Sequence, residues 1–431
     1  MNVDLLAVKP FEICTVRPPT ENYGLSFRLT RNCYWNRCKF CRAYKFGAGF
    51  SRRSLDEVKK DVQRAKLIDN LLECEGVGLG TDFTETVFTR AGELVGKIKR
   101  LQQEAGIVEE LEKEREVPDN LAPGAAWYLS WYKDTFTLED CVNHVLSWRL
   151  GRGETCFMGD ADSLVLKPDF MAGAIDCIRT HFPSIRRFTV YGRTKTAAKV
   201  RSLDDLKAFR AAGLNRVHYG LESGADTVLD FIKKGVTKEE HIEGGLKTNE
   251  AGLSCSVYVM PGLGGTVWSE DHAHETADVI TKISPDYVRL RSLQVFSYTP
   301  LGEAMRKEEF TEANEEQVVR EIRTMVEEID TEAEVISDSA ANLLNVNGKL
   351  PEDRNTMLRE IDDYLALSKR EKLMFSLQSR LESFMGQYCG ITKEIYDVLR
   401  PFIANEKLDV MLMSDEQMGD VIALVRSRLV P

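Results

Sequence analysis

From residue 153 to residue 293 the chain alternates short apolar runs with longer amphipathic ones, and a polar or glycine-bearing segment follows each short run. The short runs at 155–158, 187–191, 216–221, 255–260 and 287–293 predict strands. A sixth at 25–30 sets Leu25, Phe27 and Leu29 against Ser26, Arg28 and Thr30, the period-two pattern of a half-buried strand. The longer runs predict helices. The first, over about 54–73, opens with Ser54 and Glu57 in capping-box spacing and carries Val58, Val62, Ala65, Ile68 and Leu71 along one side. Others begin at Thr137, Pro168, Ser202, Asp226, Thr237 and Glu270. Strands alternating with helices at this spacing imply right-handed βαβ units and a parallel sheet.

The expected fold class is therefore α/β, with a barrel over 25–300. An extension at 1–24 precedes it. A mostly helical insertion at 76–150 follows the first βα unit, and a helical C-terminal region at 301–431 shows no strand rhythm. In the insertion, Gly76–Thr81 reads as a plain loop, since no G-K-[ST] ending follows its glycines. A charged helix over 84–116 ends at breaks marked by Val117–Pro118 and Pro123–Gly124.

Polar residues gather just after the predicted strand ends: 31–41, 159–163, 191–194, 222–224 and 258–265. In a parallel barrel those ends share one rim, and that rim carries the chemistry. The first of these segments holds Cys33, Cys38 and Cys41, spaced C-x4-C-x2-C. Three thiolates this close can converge on one soft metal centre, for which iron–sulfur clusters and zinc are the usual guests. Structural zinc normally takes four ligands, and no fourth Cys or His lies close in sequence.

Composition narrows the picture. The net charge of −11 over 431 residues favours a small-molecule partner over nucleic acid, whose phosphates need clustered Lys and Arg. The other cysteines are scattered, which excludes a disulfide scaffold and points to a reducing cytoplasm. No apolar run reaches the length of a membrane span. His272 and His274, two apart on a helix, share no face and read as surface or capping residues.

The cysteine loop with Phe40 before its last cysteine, followed by five βα units, resembles the radical S-adenosylmethionine superfamily over about 25–300. The nearest branch is that of oxygen-independent coproporphyrinogen oxidases and the Elongator catalytic subunit. The stretches from Ala212 to Gly224, Lys234 to Thr237 and Met260 to Gly265, with Thr299-Pro300-Leu301, carry that likeness. It implies a partial (β/α)6 TIM-like barrel and a [4Fe–4S] cluster held by Cys33, Cys38 and Cys41. The open iron would bind S-adenosyl-L-methionine, whose reductive cleavage gives a 5′-deoxyadenosyl radical.

Carried over residue by residue, the resemblance sets Phe40, Tyr258 and Met260 against the adenine and Glu222 on the ribose. Gly159 and Asp160 would face the methionine amino group, with Arg193 and Lys234 for its carboxylate. Tyr191 stands where relatives are often acidic. The first spacing departs from the family, with four residues between the first two cysteines where most members have three.

On or after the sixth strand, Arg289, Arg291, Gln294 and Tyr298 are the candidate substrate contacts. They suit a small, anionic organic substrate. The resemblance also implies a low-potential electron donor such as flavodoxin or ferredoxin and oxygen-sensitive, anaerobic oxidoreductase or carbon-transfer chemistry. An RNA-modifying enzyme and a non-catalytic haem or cluster carrier are the competing functions. The polar stretch from Ser337 to Asn342 stands out as a segment able to close the barrel mouth.

Overall fold

The computed structural model describes residues 5–45, 49–107, 135–404 and 407–429. The breaks read at Val117–Pro118 and Pro123–Gly124, and the last part of the 84–116 helix, lie outside the described residues.

All six predicted strands are present. They are β1 (Leu25–Arg28), β4 (Thr155–Gly159), β5 (Arg187–Gly192), β6 (Leu214–Glu222), β7 (Ser254–Val259) and β8 (Tyr287–Leu290), each parallel to the next. The short pair β2 (Thr30–Arg31) and β3 (Ser51–Arg52) closes the base of the cysteine loop as an antiparallel ladder. The C-terminal region corrects the sequence reading. Its β9 (Ala333–Ile336) pairs parallel with β8 and its β10 (Gly348–Leu350) antiparallel with β9, making an eight-stranded sheet ordered β1-β4-β5-β6-β7-β8-β9-β10. β9 is only four residues long, set among acidic neighbours, and its alternation is too brief to register as a strand by pattern.

Helices cover the outside of the sheet. α1 (Leu55–Cys74) begins with the expected capping box: Glu57 N donates to Ser54 Oγ at 3.3 Å, and Ser54 N donates to Glu57 Oε2 at 2.7 Å. Its buried face, Val58, Val62, Ala65, Ile68, Leu71 and Leu72, packs into the main core with Leu25, Phe27 and Leu29 of the first strand segment. Each fully buried aliphatic side chain of this kind contributes about 1.5–3 kcal/mol relative to exposure. α2 (Glu85–Glu104) and α3 (Leu138–Leu150) build the insertion, and α3 carries the Thr137–Asp140 capping box. α4 (Pro168–His181), α5 (Leu203–Ala212), α6 (Asp226–Phe231), α7 (Lys238–Glu250) and α8 (Ser269–Ile283) follow the strands in turn. His272 of α8 is buried, a correction to its reading as a surface residue: Nδ1 meets Ser223 Oγ at 2.8 Å and Nε2 the Met260 carbonyl at 3.1 Å. His274 is exposed beside Glu328.

The chain then runs through α9 (Pro300–Arg306), α10 (Glu315–Glu328) and α11 (Arg354–Ala366) to a second, smaller core. That core is formed by α12 (Lys369–Tyr388), α13 (Lys393–Leu399) and α14 (Asp415–Arg428). It packs onto the barrel through α12. Buried Arg380 of α12 donates to the Ala341 and Asn342 carbonyls at 2.7 and 3.0 Å and pairs with Glu315 at 2.9 Å.

Candidate active site

The parallel strands bring the predicted rim segments to one end of the sheet, where they enclose a cavity of about 720 Å³. That size is usual for small-molecule and cofactor sites. Its wall holds Cys33, Cys38 and Cys41 with Phe40, and, from the ends of β5 to β7, Tyr191, Arg193, Glu222, Lys234, Tyr258 and Met260. Arg291 and Gln294 follow β8 on the same wall.

The extra residue of the cysteine spacing has a local explanation. Asn32 and Asn36 both adopt left-handed backbone conformations, with φ of 63° and 40°. Asparagine tolerates this region because its short amide bonds to nearby backbone. Asn36 Nδ2 donates to the Tyr44 carbonyl at 2.5 Å, Lys45 Nζ donates to the Asn36 carbonyl at 2.7 Å, and Asn36 N lies 3.5 Å from Cys33 Sγ. The loop is clasped from outside as well. Lys39 N donates to the Ile232 carbonyl at 2.8 Å, and Leu301 N donates to the Lys39 carbonyl at 3.0 Å.

Trp35 Nε1 donates to the Lys233 carbonyl at 2.8 Å, and its ring lies where a Cβ on Gly235 would stand, at φ 69°. Only glycine allows that approach.

Arg193 has a structural task. Its guanidinium donates to the Lys234 carbonyl at 2.5 Å and the Tyr34 hydroxyl at 3.1 Å, and lies 4.9 Å from the Trp35 ring centre. It thereby joins the cysteine loop to the segment after β6. Glu222 sits at a bulge in β6 with φ 67°, and its carboxylate accepts from Lys234 Nζ at 2.9 Å. A buried non-glycine residue held in this region marks a site where the fold sustains local strain. Tyr191 packs edge-on against Phe157 at 5.1 Å and lies 6.4 Å from Tyr258.

Asp160 is placed otherwise than expected. It is 1% exposed and off the cavity wall. Its Oδ2 accepts from Arg28 Nη2 at 2.7 Å, from Arg28 Nε at 3.1 Å and from Asn32 N at 2.9 Å. A carboxylate with an arginine fork and an amide on one oxygen is engaged in charge-assisted bonds, not free for an ammonium. It fixes the residue before Cys33 instead. Gly159 is likewise off the wall: a Cβ there would lie 2.8 Å from the Phe157 ring and 3.1 Å from Cys14 Sγ, and its carbonyl accepts from Leu29 N.

Of the four candidate substrate contacts, two are wall residues and two stand behind them. Arg289 is 1% exposed, donating from Nε to Ser256 Oγ at 3.2 Å and from Nη1 to Asp338 Oδ2 at 2.7 Å. Tyr298 packs on Phe296 at 5.7 Å, within the electrostatic reach of Arg42.

Sequence reasoning missed Arg17 and Arg42, both on the wall, and the α12 residues Ser383, Gly386 and Gln387. None stands in a motif. The loop after β9, from Ser337 to Ala340, does reach the cavity, as its polarity suggested.

The cysteines are free thiols. Burial pushes Cys38 up to about 11, opposed by the charge of Lys234, and burial raises Cys41 as well. Ligation to iron favours the thiolate and offsets that cost. No three Cys, His, Asp or Glu side chains among the described residues are gathered as a single ion would require. A four-iron cluster shares its thiolates among separate irons, so one loop with three half-buried thiols on an open cavity suits it.

Residues 125–278 match the model of the radical SAM superfamily. That stretch thus carries a match to the radical S-adenosylmethionine domain, a family that uses a [4Fe–4S] cluster and S-adenosyl-L-methionine. The match begins beyond the cysteine loop, within the segment that separates that loop from β4.

Among curated proteins, the chain is similar to a tRNA uridine(34) acetyltransferase of Methanocaldococcus jannaschii, 28% identical over 112 residues, which are 25% of this chain and 20% of that one. Among solved structures it overlaps the archaeal Elp3 of Methanocaldococcus infernus (16% identity, 48% of this chain and 53% of that one, TM-score 0.37). It also overlaps coproporphyrinogen III oxidase of Escherichia coli (12% identity, 63% and 77%, TM-score 0.31). The chain spans about a fifth of the curated relative and about half of the archaeal structure.

Proposed function

We propose that the chain is a radical S-adenosylmethionine enzyme, which holds a [4Fe–4S] cluster through Cys33, Cys38 and Cys41 and acts on a small, anionic organic substrate bound in the same cavity. The observation that carries this reading is the shared wall: the three thiols and Arg291 line one cavity of about 720 Å³. Bound together and reduced by one electron, the cluster and S-adenosyl-L-methionine supply a 5′-deoxyadenosyl radical for hydrogen abstraction.

The chain's own residues bind, orient and exclude water. Phe40, Tyr258 and Met260 present flat or apolar surface for an adenine. The Glu222 carboxylate suits paired ribose hydroxyls, and Lys234 beside it suits a carboxylate. Arg193 and Asp160 hold the cysteine loop in place from two sides. Arg291, Arg42 and Gln294 face the remaining space and favour an anionic group. A low-potential electron donor such as flavodoxin or ferredoxin would supply the electron.

The test is anaerobic incubation of the cluster-loaded protein with dithionite and S-adenosyl-L-methionine. Formation of 5′-deoxyadenosine is expected. Its absence with a full cluster would leave a carrier of haem or clusters as the reading. An RNA substrate would announce itself by binding that weakens steeply with salt.

A further inference from the structure

The cavity has two halves of different chemistry. One lies at β6 and β7, where Glu222, Lys234, Tyr258 and Met260 stand near the cysteines. The other lies at β8 and β9, two and three strands on from β6, where Arg291, Ser292 and Asp338 line the wall and α12 adds Ser383 and Gln387.

In this second half the hydrogen bonding is incomplete. Asp338 Oδ2 is held by Arg289 at 2.7 Å. Asp338 Oδ1 is covered and has no partner beyond a contact with its own backbone N–H, which a carboxylate reaches only at a poor angle. Ser292 Oγ is buried without a partner as well, and so is Tyr258 Oη on the neighbouring strand, where Tyr258 pairs with Arg289. Buried polar atoms are nearly always paired, so orphans gathered around one cavity mark a place where hydrogen bonds are completed by what enters it.

The charges there are mixed. Arg291 acts electrostatically on both Asp338 and Tyr258, and Arg289 bonds only one oxygen of the carboxylate. A purely anionic ligand would meet Arg291 and leave Asp338 Oδ1 without a donor. A ligand with a cationic donor as well satisfies both.

Resting on the radical-enzyme reading above, we propose that the substrate is a small amino acid-like zwitterion, its carboxylate toward Arg291 and its ammonium toward Asp338, which is the specificity-determining residue. The carboxylate keeps Oδ2 on Arg289 and turns Oδ1 to the ammonium.

The test is calorimetric titration of the cluster-loaded enzyme saturated with S-adenosyl-L-methionine, so that the cofactor's own amino acid moiety occupies its site. The probes are ω-amino acids of two to six carbons, with carboxylates and amines of matched length. For at least one length, the zwitterion is expected to bind about tenfold tighter than either monofunctional probe. Asp338→Asn is expected to reduce the zwitterion to the level of the carboxylate, and Arg291→Met to that of the amine.

The proposal is overturned if no zwitterion outbinds its matched probes in the wild-type enzyme, which needs no variant to fold. It is also overturned if the preference survives Asp338→Asn, or if that variant loses affinity for S-adenosyl-L-methionine by the same factor, which would assign Asp338 to the cofactor half. Absence of 5′-deoxyadenosine from the reduced wild-type enzyme would be a different failure, that of the underlying reading.

Discussion

Asn36 carries the unusual spacing of the cysteine loop. Its φ of 40° and its amide bond to the Tyr44 carbonyl let four residues turn where three would otherwise serve. Asn36→Val is expected to lower stability by about 1–2 kcal/mol, the cost of a β-branched residue in left-handed backbone. Asn36→Gly should lose less, because it keeps the conformation and forfeits only the amide bond. Urea denaturation of both variants makes the comparison. Cys38→Ala should remove the four-iron cluster, read as iron and sulfide per chain and as the loss of visible absorbance. A full cluster in that variant would mean the ligands lie elsewhere. At this scale the sequence was most informative where type and spacing together demand a chemistry, as in the thiols and Phe40. It misled at Asp160: its partners Arg28 and Asn32 are themselves brought near only by the pairing of β1 with β4.

Elements show the same division. The six core strands were legible because each is bounded by turn residues and followed by an amphipathic run. β9 and β10 were not, since strands of four and three residues have too little alternation to stand out from a charged surrounding. What was lost with them is the strand that carries the far wall of the cavity, although the polar stretch after it, from Ser337 to Asn342, stood out by itself. α12 is a similar case. Its helical pattern is readable, but nothing local says that Ser383 and Gln387 reach a cavity. Gly386, between them at the rim of the cavity, is exposed and has open space where a Cβ would go. Gly386→Ala should therefore stabilise the protein by about 0.5–1 kcal/mol, through higher helix propensity, and raise its melting temperature in calorimetry. A lowered melting temperature would mean that α12 packs more tightly at that point than its geometry indicates.

For the whole molecule, the buried titratable groups set a pH profile. His144, His218, His241 and His272 are all buried and their pKa values are lowered by that burial, to about 4 for His218 and His272. Between the ordinary value of 6.5 and about 4 the unfolded chain binds protons that the folded chain does not. Stability present above pH 6.5 is therefore lost as pH falls through that window. Glu321 works in the opposite sense: burial raises it to about 7, so the folded chain holds its proton where the unfolded chain has lost it. Glu321→Gln should make the acid-side loss steeper below pH 7, read from urea midpoints at several pH values. An unchanged slope would mean that Glu321 is ionised in the folded protein.

The clasp on the cysteine loop has a consequence for how the enzyme is made. Lys39 is held by Ile232 on one side and Leu301 on the other, partners about two hundred residues or more away along the chain. A ribosome-bound chain that has not yet emerged past residue 301 lacks at least one of the two partners of that clasp. Its thiols are therefore displayed before their final arrangement exists. With the cluster held by these three thiols, its stable loading would follow the docking of the sixth strand and α9, on a nearly finished barrel.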